Sequence, residues 1–142
     1  MAYVLDTSAI LTILYKEPGY ETVQRILSEG RESSGPEGSG QVYLPFLALM
    51  ELGYLCNRRF CRSHAHQVLR IVENFPVRIV ESDPRWRREA ARLKASNKLS
   101  LADAWNAALA IMLDAHLIHK DPEFEGISEL KTVTLPYKSQ EE

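Results

Sequence analysis

Cysteine is scarce in this 142-residue chain, which has only Cys56 and Cys61. With His64 and His66 they spell C-x4-C-x2-H-x-H. That spacing fits the usual zinc fingers poorly and falls in a helical stretch, so the plainer reading is two reduced thiols on helix faces. Long apolar runs are missing too: none approaches the roughly 18–20 residues of a membrane span. The start Met1-Ala2-Tyr3-Val4-Leu5-Asp6 lacks the basic region of a signal peptide. These absences point to a cytoplasmic protein with no membrane contact. An excess of charge of one sign is also lacking. The formal net charge is −2, so a nucleic-acid partner must be met by local basic patches, not a global field. There is no G-x-S-x-G elbow, no P-loop and no H-E-x-x-H, and Asp6-Thr7-Ser8 lacks the second Asp of a D-x-D phosphatase motif.

The composition present is that of a soluble globular chain, 45% hydrophobic and 25% charged. A chain of this length buries roughly 68–70% of its unfolded surface, enough for a real core. The expectation is one domain over residues 1–137 and a frayed tail over 138–142.

Four acids stand where carboxylates are costly. Asp6 ends the apolar run Tyr3-Val4-Leu5, and Glu51 interrupts Leu47-Ala48-Leu49-Met50 and Leu52. Asp103 sits within Leu101-Ala102-Asp103-Ala104-Trp105, and Asp121 follows Leu117-Ile118-His119-Lys120. An ionised carboxylate away from water is expensive unless it is paired or bound to a metal. Four in such positions suggest one oxygen-rich site for a hard cation, Mg²⁺ or Mn²⁺. Asp6, Asp103 and Asp121 are the expected metal ligands, Asp6 and Asp103 by direct contact. Asp121 and Glu51 would act through water or orient the nucleophilic water.

Periodicity places these acids on elements. Short apolar runs predict strands at 3–5, 42–44, 77–80, 116–119 and 132–135. Helical patterns run from Asp6-Thr7-Ser8 to the stop Glu17-Pro18-Gly19, then over 20–28, from Pro45 to about Arg58, over 62–74, from the Ser82-Asp83-Pro84 cap to about Asn97, and over 101–114. Gly30 and Gly40 bracket a Gly/Ser/Glu/Pro-rich stretch that reads as a long surface loop. Alternating short strands and helices predict an α/β fold: a single three-layer α/β/α sandwich around a parallel sheet of four to five strands. Ligands bind such sheets at the carboxyl ends of the strands, where Asp6 and Asp121 lie.

Blander readings exist for single residues. Asp6 before Thr7-Ser8, and Asp121 before Pro122, suit helix N-caps, and Ser100 with Asp103 resembles a capping box. Capping does not account for the mid-helix Glu51, nor for all four acids together, and it is compatible with metal binding. Arg85, Arg88 and Arg92 head a basic helix surface that suits RNA phosphates; the alternative is a solvated face with Glu89 as a local partner.

The motifs Val4-Leu5-Asp6-Thr7-Ser8-Ala9, Ala48-Leu49-Met50-Glu51-Leu52, Leu101-Ala102-Asp103-Ala104 and Leu117-Ile118-His119-Lys120-Asp121-Pro122-Glu123-Phe124 occur in this order across nearly the whole chain. In this order and spacing the chain resembles PIN-domain ribonucleases of the VapC toxin type. The resemblance carries the family's metal-binding acids onto Asp6, Glu51, Asp103 and Asp121. It makes Ser8 the support of the first carboxylate, and Glu123 an additional acid. It implies an RNA substrate, homodimerisation and inhibition by a VapB-like antitoxin. The chain departs from the family at His119, where Thr or Ser is common, and at Asn106, where an aliphatic residue is usual. His119 either weakens the polar support of the site or adds an imidazole beside metal or phosphate. A PIN nuclease of RNA processing without an antitoxin, and a catalytically inactive PIN-type binding module, remain as alternatives.

Overall fold

The computed structural model describes residues 1–32 and 41–137. Each strand is a run of three or four residues, and each of the first four leads into a helix or 3₁₀ turn within a few residues of its carboxyl end. The order is β1 (Tyr3–Leu5), α1 (Thr7–Leu14), α2 (Tyr20–Glu32), β2 (Val42–Pro45), α3 (Phe46–Arg59), α4 (Arg62–Glu73), β3 (Arg78–Val80), α5 (Pro84–Ser96), α6 (Leu101–Met112), β4 (His116–His119), a 3₁₀ turn (Pro122–Gly126) and β5 (Lys131–Thr134). The five strands form one sheet in the order β3-β2-β1-β4-β5, every pair parallel. The expected α/β sandwich with a parallel sheet is therefore present.

Side-chain alternation divides the core between the two faces of the sheet. Tyr3, Leu5, Val42, Leu44 and Ile118 join Val23, Ile26, Leu52 and Val72 from α2–α4. Val4 and Leu117 point the other way, into a cluster with Trp86, Leu93, Ala107 and Phe124. Period-2 strands between two helical layers require this split. In the second cluster Trp86 stands edge-on to both Phe46 and Trp105, at 5.6 and 4.8 Å between ring centroids. Its indole N–H donates to the Trp105 carbonyl at 2.8 Å. This anchors α5 against the helix that carries Asp103.

Local chemistry sets most of the helix starts. Asp83 caps α5 by accepting from the Trp86 N–H at 2.8 Å, with Pro84 in the first turn. Ser100 caps α6 by accepting from the Asp103 N–H at 3.1 Å. Three expectations need correction. Pro45 closes β2 and caps α3 from outside the helix, which begins at Phe46. The second helix runs to Glu32, past the expected end at Ser28. Gly30 does not break it, and the absence of a side chain there is what the packing needs: a Cβ would stand 2.8 Å from the Pro76 carbonyl and 2.9 Å from Val42. The expected Gly-rich loop is thus shortened at its start; residues 33–40 and the expected tail, 138–142, lie outside the described residues. Finally, α6 stops at Met112, and Asp114 turns the chain with a positive φ of 51°. No helix among the described residues is long and apolar enough to cross a membrane.

Trp86 is 1% exposed and bridges α3, α5 and α6. Truncation to Ala is expected to cost about 3–5 kcal/mol, a large share of the roughly 5–15 kcal/mol that holds a domain together. Urea denaturation of Trp86→Ala checks this; a loss under ~1 kcal/mol would show that the cluster is not a structural anchor.

Candidate active site

The carboxyl ends of β1 and β4 lie side by side in the middle of the sheet, and an acid leaves each. The Asp6 N–H extends the ladder by donating to the Ile118 carbonyl at 3.3 Å. Its Oδ1 accepts from the Ala9 N–H at 3.0 Å and from the Ser8 hydroxyl at 2.6 Å. Asp6 is therefore the N-cap of α1 as well as a site carboxylate, and Ser8 holds it. The group is 6% exposed. Burial pushes its pKa up to about 6 against those two hydrogen bonds, with the charges of Glu51 and Asp121 adding to the rise.

Asp121 caps the 3₁₀ turn by accepting from the Glu123 N–H at 2.9 Å. Its own N–H donates to His119 Nδ1 at 2.9 Å. The His119 ring is fully buried against Phe124, with Nε2 3.5 Å from the Thr134 hydroxyl. Burial holds its pKa below the ordinary histidine value, which suits a neutral ring accepting at Nδ1. His119 is thus not in the lining of the cavity; it fixes the backbone from which Asp121 projects.

Asp103 lies in the first turn of α6, its carboxyl beside those of Asp121 and Glu123. Its pKa is pushed up to about 8, first by burial, then by the bond to Glu123 and the charge of Asp121. Glu51 comes from α3, whose residues Ala48, Leu52 and Cys56 face the core while Glu51 and Leu55 face the site. The buried Thr7 hydroxyl donates to Glu51 Oε1 at 2.8 Å, joining α1 to α3.

Asp6, Glu51, Asp103 and Asp121 line one cavity of about 710 Å³, together with Thr7, Ser8, Asn106, Lys120 and Tyr137. Carboxylate oxygens of Asp103, Asp121 and Glu123 lie within 4.8 Å of one another. Asp6 and Glu51 share the cavity but stand outside that trio. All the charged acceptors are hard oxygens gathered at a cost in mutual repulsion, a donor set that fits Mg²⁺ or Mn²⁺ and not a soft metal.

Four of the polar lining residues, Thr7, Asn106, Lys120 and Tyr137, escaped the sequence reading as site residues. Thr7 and Tyr137 gave no local signal. Lys120, beside Asp121, did: its ammonium is largely buried and donates to Glu17 at 3.4 Å. Arg85, Arg88 and Arg92 are exposed on α5 and absent from the cavity lining, and Arg92 is engaged by Glu89 and Glu129 at 3.0 and 3.1 Å. The zinc pattern does not come together. Cys56 is buried and Cys61 exposed; Cys61 caps α4 by accepting from the His64 N–H, and His64 Nε2 meets the Tyr15 hydroxyl at 3.1 Å.

The raised pKa values have a stability consequence. A carboxyl that holds its proton more tightly folded than unfolded penalises the fold once ionised. The penalty is absent below pH ~4, the ordinary carboxyl range. It grows with pH and is complete above about 6 for Asp6 and about 8 for Asp103. Asp6→Asn keeps a capping oxygen and removes the charge. In chelator it is expected to match wild type at pH 4 and exceed it at pH 8, by on the order of 2–3 kcal/mol at most. Urea melts across that range check it; a stability gap that does not widen with pH contradicts it.

Comparison with known proteins bears on this geometry. The PIN domain family matches residues 3–130. No curated protein sequence matches the chain. A chain of VapBC2 from Rickettsia felis, bound to a promoter DNA fragment, superposes with a TM-score of 0.75 at 18% identity, over 96% of this chain and 100% of that one. VapBC-1 from nontypeable Haemophilus influenzae gives 0.71 at 19% identity, over 94% and 98%. The sarcin–ricin-loop-cleaving toxin VapC20 of Mycobacterium tuberculosis gives 0.64 at 20% identity, over 91% and 98%. At these identities the likeness is one of fold. The family match spans the acids at both ends of the site, from Asp6 to Asp121, and the chain belongs to the PIN domain family.

Proposed function

We propose that this protein is a Mg²⁺- or Mn²⁺-dependent endoribonuclease, the toxin of a type II VapBC-like pair, with residues 1–137 as its nuclease domain. The observation that carries the reading is the convergence of Asp6, Glu51, Asp103 and Asp121, from separate elements, on one cavity at the carboxyl edge of the sheet. PIN-family membership and the recurrence of the fold in VapBC structures support it.

Asp6, Asp103 and Asp121 are the residues that hold the ion, with Glu123 completing the trio of close carboxylates. A bound Mg²⁺ or Mn²⁺ supplies charge neutralisation at the phosphodiester and an activated water. Ser8 keeps Asp6 in place, and Thr7 holds Glu51, whose free oxygen orients the attacking water. His119 supports Asp121 through its backbone. Asp103 would hold the ion as an ionised carboxylate. Arg85, Arg88 and Arg92 hold flanking RNA phosphates from α5, Arg92 after release from its acidic partners. The protein works in the cytoplasm as a homodimer held in check by a VapB-like antitoxin.

The test is cleavage of a structured RNA pool by purified protein with Mg²⁺ or Mn²⁺. Cutting is expected to stop with chelator and to fall at least ~100-fold in Asp6→Asn/Asp103→Asn, the range seen on removing essential catalytic groups. Cutting that survives the double variant sinks the proposal. Metal-dependent cutting that no VapB-like protein inhibits moves the assignment to RNA processing. Folded protein that binds Mn²⁺ neither alone nor with RNA is the inactive binding module.

A further inference from the structure

Asn106 has no role in the assignment above, yet its place in the fold is unusual. Helix α6 reads Leu-Ala-Asp-Ala-Trp-Asn-Ala-Ala-Leu-Ala-Ile-Met, and the polar residues Asp103 and Asn106 stand one turn apart on it. Both line the acid cavity. Asn106 is 4% exposed. Among the described residues, none hydrogen-bonds to its carboxamide. Asparagine is a weak helix former, and its unpartnered amide opens onto the cavity. The surrounding Ala104, Ala107, Ala108 and Ala110 give a purely structural side chain no reason to be polar.

The cavity's hydrogen-bonding inventory says what the amide meets. A phosphodiester offers non-bridging oxygens that only accept, and ionised carboxylates give it nothing directly. The Thr7 hydroxyl is committed to Glu51, the Ser8 hydroxyl to Asp6, and the Lys120 ammonium to Glu17. The Asn106 amide is a donor in the lining with no hydrogen-bond partner among the described residues. Acceptors, by contrast, are in surplus, with four carboxylates lining the cavity, so a neutral amide oxygen adds little for a cation.

We propose that Asn106 is a phosphate-contact residue, its Nδ2–H donating to a non-bridging oxygen of the phosphodiester bound at the acid cavity. This rests on the reading of that cavity as a metal-dependent phosphodiester site. Asn106 acts on the substrate side of the ion and is not one of the ion's ligands.

The experiment is calorimetry with two probes, Mn²⁺ alone and inorganic phosphate added to Mn²⁺-saturated protein, on wild type, Asn106→Leu and Asn106→Ala. Melting temperature is the control for folding, and Ala serves if the bulkier Leu perturbs the helix. Both variants are expected to hold the melting temperature and to bind Mn²⁺ within about twofold of wild type, while phosphate affinity falls about tenfold, the loss of one hydrogen bond to an anion. Equal phosphate binding by wild type and variants overturns the proposal and leaves the nuclease reading standing. A matching loss of Mn²⁺ affinity overturns it in favour of an ion ligand. A large drop in melting temperature in both variants overturns it in favour of a structural amide. Wild-type protein that binds no Mn²⁺ removes the cavity reading itself, and this proposal with it.

Discussion

Holding like charges together is the constraint from which the rest of this structure follows. Carboxylates drawn to one cavity repel one another and lose water, and both effects favour the protonated form. Local donors offset the cost residue by residue. Asp6 receives a hydroxyl and a backbone N–H, Glu51 a threonine hydroxyl, and Asp121 the N–H of Glu123. Asp103 receives no such relief and keeps its proton well above the usual carboxylate range. The cavity's lysine is turned to Glu17. That residual repulsion is what a divalent cation would relieve.

Positioning comes from the frame. β1 and β4 deliver Asp6 and Asp121 at adjacent strand ends, and α3 and α6 bring Glu51 and Asp103 over that edge from helices packed on the sheet. Two of the acids cap a helix or turn in addition to facing the site. The same carboxylate oxygen that accepts the orphan N–H at a helix start is thereby fixed in direction. The aromatic group of Phe46, Trp86 and Trp105 braces α6 from behind.

What the sequence made legible was local or periodic. The strands, the caps at Asp83 and Ser100 and the double use of Asp6 and Asp121 follow from residue type and neighbours. Features that depend on partners distant in the chain were not legible. Thr7 meets Glu51 only after α1 and α3 pack, and Lys120 meets Glu17 only across the fold. Glu123, an exposed residue after a proline, comes closer to Asp103 and Asp121 than Asp6 does because the 3₁₀ turn swings it inward. His119, two residues before an aspartate, left two readings open, a weaker polar support or an imidazole at the site. Strand alternation instead sends its ring beneath the site, against Phe124. Gly30 read as the start of a loop because its contact with residue 76 is invisible in the chain order.

The central pairing of β1 with β4 also orders events in time. β1 is made first, but its neighbour on one side, and with it Asp121, comes from near the end of the described chain. Pairings so distant in sequence close late in folding. A chain still emerging from the ribosome therefore carries Asp6 and Glu51 without the acids that complete the cavity. The four-acid cavity exists only once that distant contact has closed.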